Sequence, residues 1–284
     1  MDYVKELLIN DYGEGLANEI IDGFVDKDTT IRCNVEKEEV INFLKEKGIP
    51  YEEVSTNNLA LLLKDVDNKE IETWDLYKEG KIYLQSLSSQ IPPFYMKVNN
   101  RDQVLDMCAA PGSKTTQLSH MYPNILITAC ERDKYRAERL KFNVQKQNCN
   151  NVTVLNQDSL SLSEYMKFDS ILLDVNCSGI GTIGTDKKIN INEYSLNKIV
   201  ENQEKLLNKA ISLLKNDKYM VYSTCSILKR ENEEQLKKVL SDDIEIIPIS
   251  LDGVELLPSS IEGVLTVKPN KEYEGFFIAL LHKK

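Results

Sequence analysis

Beyond residue 101 the chain alternates short apolar, β-rich runs with helical ones. That alternation restricts the fold to a largely parallel sheet with helices on both faces. QVLDMC (103–108), ILITACE (125–131), VTVLNQD (152–158), FDSILLDV (168–175) and KYMVYSTC (218–225) read as strands. Helices are expected from Lys114 to Met121 and over 133–147, 195–215 and 231–240. The third of these carries Leu196, Ile199, Leu206, Leu207, Ala210, Ile211 and Leu214 at helical spacing. Two or three terminal strands follow, ending in GFFIALL (275–281). Ligands on open sheets of this class sit beyond the carboxyl ends of the strands, near the topological switch point. The residues just past each strand are therefore the candidates for function.

The first hundred residues have a different pattern. Leu7, Leu8, Leu16, Ile20, Ile21 and Phe24 suggest one or two amphipathic helices. TIRCNV (30–35) reads as a strand, and 36–48 as a helix with Val40, Ile41 and Leu44 on one face and Gly48 as its stop. LALLLKDV (59–66) is a further candidate strand. The division expected is a small α+β unit over 1–75, a connection over 76–101 containing Gly80 and Pro92-Pro93, and an α/β unit over 102–284. With 42% apolar residues the chain can bury a sizeable core. It has no apolar run near the ~20 residues of a membrane helix, and its first residues lack a signal-peptide layout. A soluble cytoplasmic monomer without a metal is the expectation. The six cysteines, at 33, 108, 130, 149, 177 and 225, form no CxxC and fit no zinc pattern, so they read as free thiols. The net charge of −10 argues weakly against nucleic acid. Residues 1–60 hold six Lys/Arg against fourteen Asp/Glu, however, so −8 of that charge lies there and the rest of the chain is close to neutral.

Five short sequences at strand ends carry the chemistry. DMCAAPGSKT (106–115) is a small-residue turn opening a helix, where backbone can approach a ligand closely. It is not a Walker loop, because Cys108 and Ser113 stand where that motif needs glycine, and GxGxxG is absent. The amino-acid end of S-adenosylmethionine is the candidate that remains. Glu131, after the second strand, suits a ribose hydroxyl pair or is a helix-start carboxylate. Asp158 suits an adenine amino group or is a helix N-cap. LLDVNCSGIG (172–181) and VYSTCSI (221–227) each set a cysteine just past a strand, the first with Asp174 three residues before Cys177. A lone cysteine is usually buried and inert. Two at equivalent strand ends beside a carboxylate suit a harder reaction. Carbon 5 of cytosine accepts a methyl group only after a thiolate adds at carbon 6 while an acid holds the ring nitrogen. The helix after Glu131 also carries Arg132, Lys134, Arg136, Arg139, Lys141 and Lys146, which is either a solvated face or a phosphate-contacting ridge.

VLDMCAAPGSKTTQL (104–118), ILLDVNCSGIG (171–181), VYSTCSI with ENEE at 231–234, and GFFIAL (275–280) resemble, in order, the Sun or RsmB-like RNA cytosine-5 methyltransferases. IRCNV and GKIYLQSLSS (80–89) resemble the same family's upstream segments. The resemblance implies a Rossmann-like S-adenosylmethionine methyltransferase fold behind a small N-terminal α+β domain. It implies that Cys108, Ala109, Ala110, Pro111, Gly112, Ser113, Lys114, Glu131, Asp158 and Asp174 line the S-adenosylmethionine site. It implies that Cys225 is the nucleophile, that Cys177 assists release of the enzyme thiol, and that Asp174 faces the cytosine as the hydrogen-bonding acid. The implied partner is RNA, ribosomal RNA ahead of transfer RNA. The rivals are the same fold acting on another acceptor and a catalytically weak RNA-binding or assembly protein. Two departures stand out. Ser113 occupies a usual glycine position, and Asn176 replaces a proline that fixes φ at about −65°. The loop before Cys177 is expected to be freer or to aim the base differently.

Overall fold

A computed structural model of the 284-residue chain describes residues 2–185 and 189–284. Two helices come first, α1 (Asp2–Tyr12) and α2 (Glu14–Asp22). A four-stranded antiparallel sheet follows, built from β1 (Thr29–Cys33), β2 (Tyr51–Glu53), β3 (Ala60–Leu63) and β4 (Ile82–Leu84) in the order β2-β3-β1-β4. Helix α3 (Lys37–Lys47) lays Val40, Ile41 and Leu44 on this sheet. It stops at Gly48, whose φ of 68° is a left-handed cap that glycine adopts without steric cost. Three short helices, α4 (Asn68–Thr73), α5 (Asp75–Lys78) and α6 (Leu87–Gln90), complete the region.

The expected division differs from this arrangement in two places. The segment 76–101, read as a connection, supplies β4, which pairs with β1 and closes one edge of the small sheet. Helices α1 and α2 do not pack on that sheet. Their buried Val4, Leu8, Ala17 and Ile20 join Ile180, Ile183, Leu196, Ile227 and Leu228 in a separate apolar cluster on the α/β part of the molecule.

The large sheet contains β5 (Gln103–Asp106), β6 (Leu126–Cys130), β7 (Val152–Leu155), β8 (Phe168–Asp174), β9 (Leu214–Thr224), β10 (Ile244–Ile247), β11 (Leu265–Val267) and β12 (Phe276–Lys283). The order is β10-β12-β9-β8-β5-β6-β7, with β11 pairing β12 off this path. From β7 to β9 all neighbours are parallel. β12 is antiparallel and inserts between β9 and β10, covered on both sides, which is why its GFFIALL run is apolar without alternation. The chain runs β5-β6-β7 toward one edge, then returns to β8 and β9 on the other side of β5. The switch point therefore lies between β5 and β8. The connecting helices are α7 (Ser113–Met121), α8 (Lys134–Lys146), α9 (Glu193–Leu213) and α10 (Glu233–Val239). Asn192 and Ser195 form a reciprocal capping box at the start of α9, two residues before the expected start.

One fully buried side chain ties the small sheet to the large one. Arg32 of β1 donates from Nη1 to Gln85 Oε1 at 2.5 Å and to the Ser113 carbonyl at 2.6 Å, and from Nη2 to Thr116 Oγ1 at 2.9 Å. Its partners are all neutral, and burial lowers the guanidinium pKa to about 10. The contact fixes β1 against the first turn of α7, where the small-residue loop ends.

Candidate active site

The switch point brings the strand-end residues into two adjoining pockets. One is lined by Met107, Cys108, Glu131, Arg132, Asp158, Ser159, Asn176, Asn202 and Leu206. The other holds Asp106, Cys108, Ala109, Ala110, Pro111, Ser113, Lys114, Asp174, Cys225 and Phe276, and is roofed by Tyr83 to Ser86 of the small sheet. Cys108 lines both. The residues expected to form one site are thus shared out, with Glu131 and Asp158 on one side of Cys108 and the loop, Asp174 and Cys225 on the other. Gly112 lines neither pocket. It caps α7 at φ 108°, and a Cβ there would lie 2.9 Å from Leu140 Cδ1, so glycine lets the loop close onto α8.

In the first pocket Glu131 is buried at the end of β6. It accepts the Asp133 N–H at 2.9 Å and pairs with Arg136 at 3.4 Å. Asp158 accepts the Leu160 N–H at 3.0 Å, so it does cap a short turn, Ser159–Ser161, while also lining the pocket. Arg136 reaches further, from Nη2 to the Ala110 carbonyl at 2.8 Å. It thus holds the loop and Glu131 together. Of the proposed basic ridge, Arg136 is exposed but held on the Ala110 carbonyl and Glu131, Lys141 pairs with Glu138 and Lys146 lies over the Tyr77 ring. Lys134 and Arg139 are exposed on α8, and Arg132, which precedes the helix, is exposed and lines the first pocket.

The second pocket is built around charge. Lys114 Nζ lies 2.7 Å from Asp174 Oδ2, donates to Ser89 Oγ at 2.9 Å and sits over the Phe276 ring at 5.2 Å. Asp174 Oδ1 accepts from Ser223 Oγ at 2.8 Å. Asp174, expected as the hydrogen-bonding acid, is thus ion-paired and accepts from Ser223, and Lys114, expected among the cofactor residues, stands beside it as a cation. Asp106, which sequence reasoning passed over, is 1% exposed. Its Oδ2 accepts from Thr115 Oγ1 at 2.7 Å, and its Oδ1 has no partner among the described residues. Burial pushes its carboxyl up to about 7. An orphaned buried acceptor lining a pocket suits a cationic ligand group. The strand-end position of Asp106 was the available signal, since every other candidate had been chosen on that basis.

Cys177 and Cys225 meet with their sulfurs 3.0 Å apart. All six cysteines are free thiols. The Cys225 sulfur as hydrogen-bond partner, with burial added, raises the Cys177 thiol well above the ordinary cysteine range, so Cys177 keeps its proton at neutral pH. Burial also raises Cys108. The loop before Cys177 is secured without the proline. The Asn176 carbonyl accepts from Gln203 Nε2 at 3.2 Å.

A Rossmann-like sheet with β12 inserted antiparallel, and a ligand crevice at the β5/β8 switch point, defines the methyltransferase fold. A methyltransferase homologue protein from Pyrococcus horikoshii superposes with a TM-score of 0.85 at 27% identity, covering 98% of this chain and 94% of that one. An NSun6 structure from the same organism, solved with SFG, has a TM-score of 0.86 at 20% identity and shares the fold. Residues 93–282 match the family described as 16S rRNA methyltransferase RsmB/F, and the chain belongs to that family. A ribosomal RNA small subunit methyltransferase F from Shewanella piezotolerans is 33% identical over 271 residues, 89% of this chain and 57% of that protein. The 25S rRNA (cytosine-C(5))-methyltransferase rcm1 of Schizosaccharomyces pombe is 35% identical over 181 residues, 59% of this chain and 39% of that protein. The chain spans about half the length of the curated relatives it matches, for example 46% of a methyltransferase F from Shewanella sediminis.

Proposed function

We propose that this protein transfers a methyl group from S-adenosylmethionine to carbon 5 of a cytosine in ribosomal RNA. The observation that carries the reading is the Cys177–Cys225 contact at 3.0 Å, with Cys225 lining the same pocket as the Lys114–Asp174 pair. S-adenosylmethionine supplies an electrophilic methyl group. Glu131 and Asp158 suit its ribose and adenine, and the orphaned Asp106 Oδ1 suits its ammonium. Cys225 gives its proton to water and adds to carbon 6 as the thiolate, forming a carbon–sulfur bond while the ring electrons shift to make carbon 5 nucleophilic. Lys114 stabilises the charge that develops on the ring, and Asp174 accepts from the base's amino group. After transfer the carbon-5 proton leaves to water, its electron pair restores the ring double bond as the carbon–sulfur bond breaks, and Cys225 departs as a thiolate that accepts a hydrogen bond from the Cys177 thiol. The raised Cys177 thiol keeps its proton, so it can give that sulfur a hydrogen bond. Residues 1–75 and the exposed face of α8 serve RNA capture, and the enzyme works as a cytoplasmic monomer without a metal.

RNA carrying 5-fluorocytosine tests the chemistry, because fluorine at carbon 5 blocks release and leaves protein and RNA joined on a denaturing gel. Absence of that adduct, with RNA binding intact, would return the protein to the RNA-binding or assembly class. Bisulfite sequencing of total RNA from a deletion strain identifies the substrate. A lost site in transfer RNA would move the assignment there.

A further inference from the structure

Glu231 is fully buried, and no lysine, arginine or histidine among the described residues forms an ion pair with it. A buried carboxylate without a counter-charge is costly unless hydrogen bonds satisfy it. Here its partners come from the cysteine loops and from α9. Oε2 accepts the Ser178 N–H at 2.8 Å and Gln203 Nε2 at 3.0 Å. Oε1 accepts the Ser178 and Ser226 hydroxyls, each at 2.5 Å. Ser178 follows Cys177 and Ser226 follows Cys225. The chain thus carries two Cys-Ser pairs at the ends of adjacent parallel strands, and one carboxylate holds both serines.

The geometry explains why such a tie is needed. β8 and β9 run in register as far as Asp174 opposite Ser223. Val175 N–H still reaches the Ser223 carbonyl at 3.0 Å, and Gly181 N–H reaches the Cys225 carbonyl at 3.1 Å. Between those two links the sheet ladder has ended, and that stretch contains both cysteines. Glu231 is itself fixed, since its carbonyl accepts from Tyr222 Oη at 2.7 Å. The next residue, Asn232, takes Thr224 Oγ1 at 2.7 Å and donates to the Ser226 carbonyl at 3.0 Å.

We propose that Glu231 is a positioning residue whose buried carboxylate, by holding Ser178 and Ser226, sets the separation between the Cys177 and Cys225 sulfurs. Its consequence for catalysis rests on the reading of Cys225 as nucleophile. The separation itself does not, and it can be measured without RNA. Phenylarsine oxide bridges two close thiols, forming two arsenic–sulfur bonds and releasing one water. The 284-residue chain should bind it through Cys177 and Cys225, with Cys177→Ala as the blank. Glu231→Gln places an amide where an acceptor met four donors. The double variant Ser178→Ala, Ser226→Ala keeps the carboxylate and removes its hydroxyl ties. Both should lose arsenical affinity by about tenfold or more, because the second thiol is no longer presented to the first. Both should also slow adduct formation with 5-fluorocytosine RNA by about a hundredfold, the usual result of misplacing a reacting group by an ångström. S-adenosylmethionine affinity should stay within a few-fold. Cooperatively melting variants that keep the wild-type arsenical affinity and adduct rate would overturn the proposal. Should Glu231→Gln fail to fold, the serine double variant decides alone. Wild-type protein that traps no RNA would remove the cysteine chemistry, and the arsenical titration would still decide the positioning role.

Discussion

At the scale of single residues, the two touching cysteines have different proposed roles. Cys177, with its proton held by the neighbouring sulfur and by burial, is a poor nucleophile that can still give a hydrogen bond. Cys225→Ala should abolish methyl transfer while calorimetry still finds S-adenosylmethionine bound. Turnover in that variant would dismiss Cys225 as nucleophile. Cys177→Ala should instead accumulate a protein–RNA complex on a denaturing gel, since addition proceeds and elimination stalls; inactivity with no complex would count against the release role. Asp106 gives a prediction in pH. Its carboxyl stands at about 7 in the folded protein against 3.8 for the ordinary side chain. Between those values the native state holds a proton that the unfolded chain has lost. The stability it carries is full below about pH 4 and is lost as pH rises toward 7, at most about 4 kcal/mol. Thermal melting of Asp106→Asn should therefore fall less over that window than wild type. S-adenosylmethionine affinity should strengthen from pH 5.5 to 7 in wild type, by up to about tenfold per pH unit, and lose that slope in the variant. Parallel slopes would place the ligand's ammonium elsewhere.

At the scale of elements, α8 does two things that its basic sequence did not separate. Both Arg136 and Arg139 are exposed, but Arg136 joins the Ala110 carbonyl to Glu131 and Arg139 does not. The single variants should diverge. Arg136→Ala should weaken S-adenosylmethionine binding by about tenfold, the order of one charge-assisted hydrogen-bond pair. Arg139→Ala should leave that affinity unchanged and flatten the salt dependence of RNA binding by about 0.7–0.9 in slope. Equal effects of both on the cofactor would reduce α8 to a general electrostatic influence. This difference was invisible in the sequence because helical position alone does not say which arginine meets the loop before it. The strands of the large sheet were legible, since each is an apolar run ending in a small-residue or polar turn. β4 was not, because three residues after Gly80 acquire strand character only by pairing with β1, about fifty positions earlier. The placing of Cys225, Asp174, Glu131 and Asp158 on the two pockets, and of Cys177 against Cys225, was legible because each follows a strand. The site was not legible in Arg136 and Glu231, which act through tertiary hydrogen bonds between distant segments.

At the scale of the whole molecule, the first 22 residues and the small sheet belong to different packing units. Leu8 is fully buried among residues of the large unit, and Tyr12 Oη donates to the Ile227 carbonyl at 2.5 Å. Lys229 N–H donates to Asp11 at 2.9 Å, so α1 braces the turn that leads into Glu231. Leu44, also fully buried, lies instead in the small sheet's own cluster with Ile31 and Leu61. Each leucine truncated to alanine removes buried methyl groups and leaves a cavity, at a cost of about 2–5 kcal/mol. The two losses should appear in different places by hydrogen exchange. Leu8→Ala should speed exchange over Ile227–Glu231 and the start of α9, and leave β1 and β3 protected. Leu44→Ala should reverse the pattern. Adduct formation with 5-fluorocytosine RNA should fall in Leu8→Ala even with the small sheet intact, because the turn it braces carries the carboxylate between the two cysteine loops. Faster exchange in β1 and β3 after Leu8→Ala, with 227–231 unaffected, would restore residues 1–75 as one unit.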